Sequence, residues 1–112
     1  MSNKFINLTP HEVTILSGSN TILIPPSGIV ARCSTVISPL PSAFIGNIEI
    51  KINKSSLGDI IGLPPKQEGT YYITSIIVAQ KGKQIDRDDL LAPDTIRDDQ
   101  GNVIGCKGFL IP

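Results

Sequence analysis

The sequence predicts a mainly-β protein, a small antiparallel barrel or sandwich with at most one short helix, folded as a single domain over residues 1–112. Three observations carry that reading. Apolar and polar residues alternate with period two in several segments, and turn signals rich in Gly, Pro, Ser and Asn recur roughly every eight to twelve residues. No segment of about ten residues or more has the helical period. With 112 residues, 40% of them hydrophobic and 18% charged, the chain suits one core and is far from the composition of a disordered segment.

The elements follow in order. Phe5-Ile6-Asn7-Leu8 reads as a short strand, stopped at Thr9-Pro10-His11 by a proline that has no N–H for a ladder. Residues 12–16, which alternate polar and apolar, and residues 21–24 are rich in β-branched side chains and flank Ser17-Gly18-Ser19-Asn20, which predicts a hairpin. Pro25-Pro26-Ser27-Gly28 ends its second arm, and residues 29–37 form a third strand. Pro39 and Pro41 place an exposed loop there. Ile48, Ile50 and Ile52 alternate with Glu49, Lys51 and Asn53, the pattern of a strand with one face buried and one in water. Residues 59–63 read as a short strand before the Pro64-Pro65 loop.

The longest apolar run, residues 70–80, predicts a two-sided strand buried between layers, with Tyr71, Ile73, Ile77 and Ala79 on one face and Tyr72, Ile76 and Val78 on the other. Lys81-Gly82-Lys83 ends it, and residues 84–91 are the place for a helical turn anchored by Ile85 and Leu90. Residues 94–98 and 102–106 flank Asp99-Gln100-Gly101, a second hairpin signal, with the final strand running to Leu110.

Composition removes several classes of function. Ten basic and ten acidic residues cancel, so no global field draws the protein to a polynucleotide or an anionic membrane. No stretch approaches the roughly 20 apolar residues that span a bilayer, and a cytoplasmic location is expected, in the host cell if the protein is viral. Cys33 and Cys106 are too few for a disulfide scaffold or a structural zinc site, and both are expected as buried thiols. Near-zero charge and small size favour a homo-oligomer. Multi-histidine metal sites are excluded by a single histidine, the EF-hand pattern is absent, and no cofactor is expected.

His11 is the one candidate base for histidine-dependent catalysis, weighed against local backbone bonding in its turn. Asp86, Asp88, Asp89, Asp94, Asp98 and Asp99 fall within fourteen residues that also hold Arg87 and Arg97. Arginines there can grip phosphate while aspartates accept hydroxyls, although Asp also favours turns and caps for local reasons. Tyr71 and Tyr72 point to opposite faces of one strand, so one can pack in a core while the other offers a stacking surface. Arg32 is the one remaining arginine of the three, just beyond a turn that lacks the Gly-Lys-Ser/Thr ending of a phosphate loop.

Five phrases together carry a family likeness: Asn7-Leu8-Thr9-Pro10-His11, Ile24-Pro25-Pro26-Ser27-Gly28 with Ala31-Arg32, Tyr72-Ile73-Thr74-Ser75, Asp89-Leu90-Leu91-Ala92-Pro93, and residues 97–106. They span nearly the whole chain, which resembles a family of short, largely uncharacterised phage, prophage and bacterial proteins. By analogy with other small phage proteins, the resemblance implies a counter-defence role, one mode of which is a sponge that sequesters a nucleotide immune signal. The expected ligand-binding set is His11, Arg32, Tyr71, Arg87, Asp89, Arg97 and Asp98, around a small nucleotide-like ligand and without catalysis. Two alternatives stay open: a small hydrolase or lyase acting on a phosphorylated metabolite with His11 or an aspartate as base, and a protein-interaction module that inhibits a host protein.

Overall fold

The structure, a computed structural model, describes residues 3–112; the first two positions of the predicted domain lie outside the described residues. Among the described residues, the elements are β1 (Lys4–Asn7), β2 (Val13–Ser17), β3 (Asn20–Ile24), β4 (Arg32–Pro39), β5 (Ala43–Ile45), β6 (Ile48–Ile50), β7 (Asn53–Ile61), β8 (Thr70–Ile73), α1 (Ile76–Gln84), β9 (Leu90–Arg97) and β10 (Val103–Leu110). The protein is mainly β with one short helix, as its sequence predicts, and six strands form a curled half-barrel sheet in the order β1-β8-β9-β10-β2-β3. Both predicted hairpins form, β2–β3 around Gly18-Ser19 and β9–β10 around residues 98–102. Gly18 has φ of 59°, the left-handed conformation that a two-residue hairpin loop with glycine in its first position requires.

The pairing is mixed, where the sequence predicts an antiparallel sheet. β1–β8, β8–β9 and β10–β2 are parallel. Turn chemistry identifies antiparallel neighbours joined by short loops, whereas a parallel pair joins segments far apart in the chain and leaves no local signal. The curl is closed at one seam. The end of β1 meets the end of β3, and the side chain of Asn7 donates to the carbonyl of Ile24 at 3.1 Å.

Adjacent residues on β8 serve two cores, because successive strand side chains point to opposite faces. Tyr72 packs with Leu8, Ala31, Val78, Ala79, Leu90 and Ala92 beneath α1. Ile73 packs on the other face with Val13 and Cys106. Cys106 is therefore buried as expected, while Cys33 at the root of β4 is only half-buried.

The run 70–80 is not one strand. β8 ends at Ile73, and the Ser75 hydroxyl accepts the backbone N–H of Val78, which caps α1 at its N-terminus. Val78, Ala79 and Gly82 form the buried stripe of that helix, a spacing hidden within a run of β-branched residues whose strand preference is weak against tertiary packing. Lys81-Gly82-Lys83 thus lies inside the helix rather than at the end of a strand. The predicted helical turn at 84–91 is also displaced. α1 ends at Gln84, and Arg87 donates its N–H to the Gly82 carbonyl at 2.8 Å across a left-handed Asp86 (φ 61°). This is a Schellman ending, and Leu90 opens β9.

β4 and β7 leave the body as an antiparallel ribbon tipped by the β5–β6 hairpin. β4 extends to Pro39, so the predicted loop is reduced to residues 40–42, and β7 includes residues 59–61, which the sequence places in a separate strand. Ile48, Ile50 and Ile52 are all exposed, against the expected half-burial. Alternation identifies a strand but carries no information about what covers its apolar face.

The close approach of α1 to β9 depends on Gly82. A Cβ there would stand 2.5 Å from Cδ1 and 3.2 Å from Cγ of Leu90, itself fully buried. In an open helix, Gly→Ala stabilises by about 0.5–1 kcal/mol. Gly82→Ala is instead expected to destabilise by about 1–3 kcal/mol through overpacking, measured by urea denaturation. A Gly82→Ala variant as stable as the wild type would show that Leu90 is free to give way.

Candidate functional site

β1 and β8 run parallel and in register, ending together at Asn7 and Ile73. The segments that follow, Leu8 to His11 and Thr74-Ser75, therefore leave from the same edge of the sheet. The carboxyl ends of parallel strands, with a helix starting from one of them, are where open α/β sheets place ligands, because backbone amides and the helix dipole converge there. Thr9, Pro10 and Ser75 here separate two adjoining concavities. One, of about 470 Å³, is lined by His11, Glu12, Thr74, Thr95, Ile104 and Cys106 among others. The other, of about 210 Å³, is lined by Ala31, Arg32, Cys33 and Ile77. The two adjoin at the N-terminus of α1, with Arg32 lining the smaller and His11 the larger.

The turn that forms the ridge is held by a saturated amide. Asn7 is 1% exposed, and its Nδ2 donates to the carbonyls of His11 at 2.7 Å and Ile24 at 3.1 Å. Its Oδ1 accepts from the backbone N–H of Thr9 at 2.9 Å and the Thr9 hydroxyl at 2.6 Å. Thr74, fully buried, donates its hydroxyl to the Leu91 carbonyl at 3.2 Å, which fixes the entry to α1. Ser75 satisfies the Val78 amide, while the amides of Ile76 and Ile77, in the first turn, have no acceptor within the helix.

Cys106 lines the same cleft as His11 but is not a prepared nucleophile. Burial pushes its thiol above its ordinary pKa, and Sγ donates to the Thr14 carbonyl at 3.3 Å. A thiol held protonated lacks the thiolate that nucleophilic catalysis needs. Among the described residues, no group of three or more His, Cys, Asp or Glu is placed to hold a metal ion.

The remaining predicted residues lie elsewhere. Arg87 makes a two-pronged pair with Asp89, Nε to Oδ1 and Nη2 to Oδ2 both at 2.9 Å, and Nη2 also donates to the Pro64 carbonyl at 3.1 Å. Its guanidinium sits 6.0 Å from the centroid of the Tyr72 ring, whose hydroxyl donates to the Pro65 carbonyl at 3.0 Å. The pair pins the Pro64-Pro65 loop, and the Asp89 hydrogen bond raises the Arg87 pKa above its ordinary value. Tyr71 stacks on Phe5, with ring centroids 5.5 Å apart, and borders a separate, more polar cleft of about 700 Å³ with Lys4, Lys66, Asp88 and Asp89. There the Lys66–Asp88 hydrogen bond raises the lysine pKa and lowers that of the aspartate, in an exposed pair of small energetic consequence. Arg97 donates to the Gly101 carbonyl at 2.7 Å, and Asp98 accepts the amides of Gln100 and Asn102, both at 2.9 Å, so these two shape the β9–β10 turn.

Of the predicted set, then, His11 and Arg32 line the two adjoining concavities, one each, and Tyr71 and Asp89 line the third cleft together. Sequence reasoning passed over Asn7, Thr9 and Ser75. A serine just before an apolar run is a cap signal and could have exposed Ser75, whereas the role of Asn7 depends on β3 and has no local mark. Comparison with known protein families, curated proteins and solved structures returned no match. The fold and its cleft therefore rest on their own geometry.

Removing Arg87 leaves Asp89, whose side chain is 5% exposed, as an unpaired buried charge. Arg87→Ala is expected to destabilise by about 3–5 kcal/mol in chemical denaturation. Arg97→Ala, at an exposed turn, is expected to cost about 1 kcal/mol or less. Equal effects from the two substitutions would contradict the distinction between a pinned loop and a solvated turn.

Proposed function

We propose that the protein is a non-enzymatic binder of a small phosphorylated, nucleotide-like ligand, held in the cleft between His11 and Arg32 at the N-terminus of α1. The observation that supports this most directly is that two concavities with apolar walls adjoin at the start of α1, Arg32 and Ile77 lining one, His11 the other, and the cap residue Ser75 both. Arginine offers a fork of donors to phosphate, and helix amides favour anions. Apolar lining from Val30, Ala31, Ile77, Val103 and Ile104 suits a base or ribose face. A counter-defence sponge, as the phage-protein resemblance implies, is the biological form of this reading, and the reading requires no metal and no nucleophile.

A second reading is kept by one observation, that His11 and Glu12 both line the larger concavity. A histidine beside a carboxylate there is a candidate base for a hydrolase or lyase.

The two part in one experiment. The protein is incubated with a panel of cyclic mono- and dinucleotides, titrated calorimetrically, then denatured and the ligand analysed by mass spectrometry. Binding with intact ligand recovered is expected. Arg32→Ala should weaken binding roughly tenfold or more, the scale of one charge-assisted contact, while Arg97→Ala leaves it unchanged. Cleaved ligand, lost in His11→Ala, would replace the binder with the enzyme, and loss through Arg97 instead of Arg32 would move the site.

A further inference from the structure

Every residue from 34 to 56 is exposed. In a chain of this composition that is a long stretch without a buried side chain, and it is not a polar one. It carries Val36, Ile37, Leu40, Phe44, Ile45, Ile48, Ile50 and Ile52, with Phe44 at 66% and Ile45 at 69% exposure. The sequence from Cys33 to Ile48 contains no Asp, Glu, Lys or Arg. The stretch forms the distal part of the β4–β7 ribbon and the whole β5–β6 hairpin, while only the root of the ribbon packs under α1, through Cys33 and Ile60. The radius of gyration is 18.0 Å, and the molecule measures 63 × 39 × 22 Å. A compact chain of this length has a radius of gyration of about 13 Å. The excess is the arm.

A two-stranded ribbon without a packing layer is marginal in water, because its one-residue-deep apolar face has nothing to exclude solvent from it. The eight apolar residues lie on both faces, since neighbours such as Val36 and Ile37 point oppositely, and an arm gripped on both would bury on the order of 800 Å², about what one partner contributes to an interface of standard size. We propose that this arm docks on a second copy of the chain, each arm lying against the other's body in a closed two-fold dimer.

A second copy fits for three reasons. It supplies apolar surface beside a sheet edge, since Ile22 and Leu23 are exposed on β3, the last strand of the six-stranded sheet. β3 has an unpaired edge, as does each side of the ribbon, so backbone pairing as well as apolar contact is on offer. Zero formal net charge lets two copies approach without repulsion. A lipid surface fits less well, because the arm is without basic residues until Lys51 and without tryptophan, the residues that hold apolar segments at an anionic interface. Two arms and two docking faces related by a two-fold axis satisfy one another completely, which prevents open-ended assembly. None of residues 34–56 lines the His11–Arg32 cleft, so the dimer stands or falls apart from the ligand.

Light scattering on the eluting full-length protein measures its mass directly. Twice the 12.0 kDa chain mass is expected, and the double variant Phe44→Glu/Ile48→Glu is expected to run as a monomer with an unchanged far-ultraviolet circular dichroism spectrum. Hydrogen exchange gives an independent reading, with amides 34–56 protected at high protein concentration and exposed on dilution. Three results would overturn the proposal: a monomeric wild type with an unprotected arm, a dimer that survives the double variant, or a monomer whose arm becomes protected only on phosphatidylglycerol vesicles.

Discussion

A sheet that curls until the ends of its edge strands meet leaves backbone carbonyls at the seam that no ladder can satisfy, and burying such groups unpaired costs on the order of 1–3 kcal/mol each. Asn7 resolves this. Its amide spends both donors on Ile24, at the end of β3, and His11, beyond the turn, while its oxygen takes both groups of Thr9. One side chain thereby fixes the seam and the turn that forms the ridge of the cleft. No other side chain of that size has two donors and an acceptor at opposite ends of a planar head. With the turn fixed, Leu8 is drawn into the core under α1, and its carbonyl accepts the Ala31 amide at 3.0 Å, which brings Arg32 to the cleft.

The second constraint is the entry to α1. Tyr72 and Ile73 must face different cores, Thr74 must bond across to β9, and Ser75 must turn the chain into a helix. Four consecutive residues thus perform four different tasks, and the helix start is placed beside the Asn7 turn because β1 and β8 are in parallel register. Gly82 completes the arrangement by letting α1 lie close on Leu90, and the Arg87–Asp89 pair holds the loop on the far side. The arginine and aspartate concentration that stands out in the sequence is thus spent largely on structure, on one buried pair and one turn.

What the sequence made legible was local. The hairpins at residues 13–24 and 90–110 follow from glycine-containing turns between β-branched runs, and exclusion of multi-histidine metal chemistry follows from composition. The helix was missed because Ile76, Ile77 and Val78 are strand formers, and only the burial of Val78, Ala79 and Gly82 decides in favour of a helix. The parallel pairs were missed because their partners lie far apart in the chain, as Lys4 and Thr70 do. Of the site, His11 and Arg32 were legible as rare residue types, but Asn7 and Ser75 act through geometry that no spacing encodes. The exposure of the arm was invisible for the same reason: Ile48, Ile50 and Ile52 alternate as a half-buried strand does, and nothing in the chain's own fold covers them.

The central claim is that the two donors of Asn7 hold the seam, and replacing Asn7 by aspartate tests it with almost no change of shape. The substitution keeps the acceptors for Thr9 but sets a carboxylate against the carbonyls of Ile24 and His11. Burial and those carbonyls disfavour the charged form, so the folded-state pKa lies above the unfolded value of about 3.9. Stability is then fullest below that value and falls as pH rises through the folded pKa. Urea denaturation of Asn7→Asp is expected to show a loss of about 2–4 kcal/mol at pH 7, with part of it regained near pH 4. A variant within about 0.5 kcal/mol of wild type at pH 7, the range of an ordinary surface substitution, would mean that the seam is held by something else.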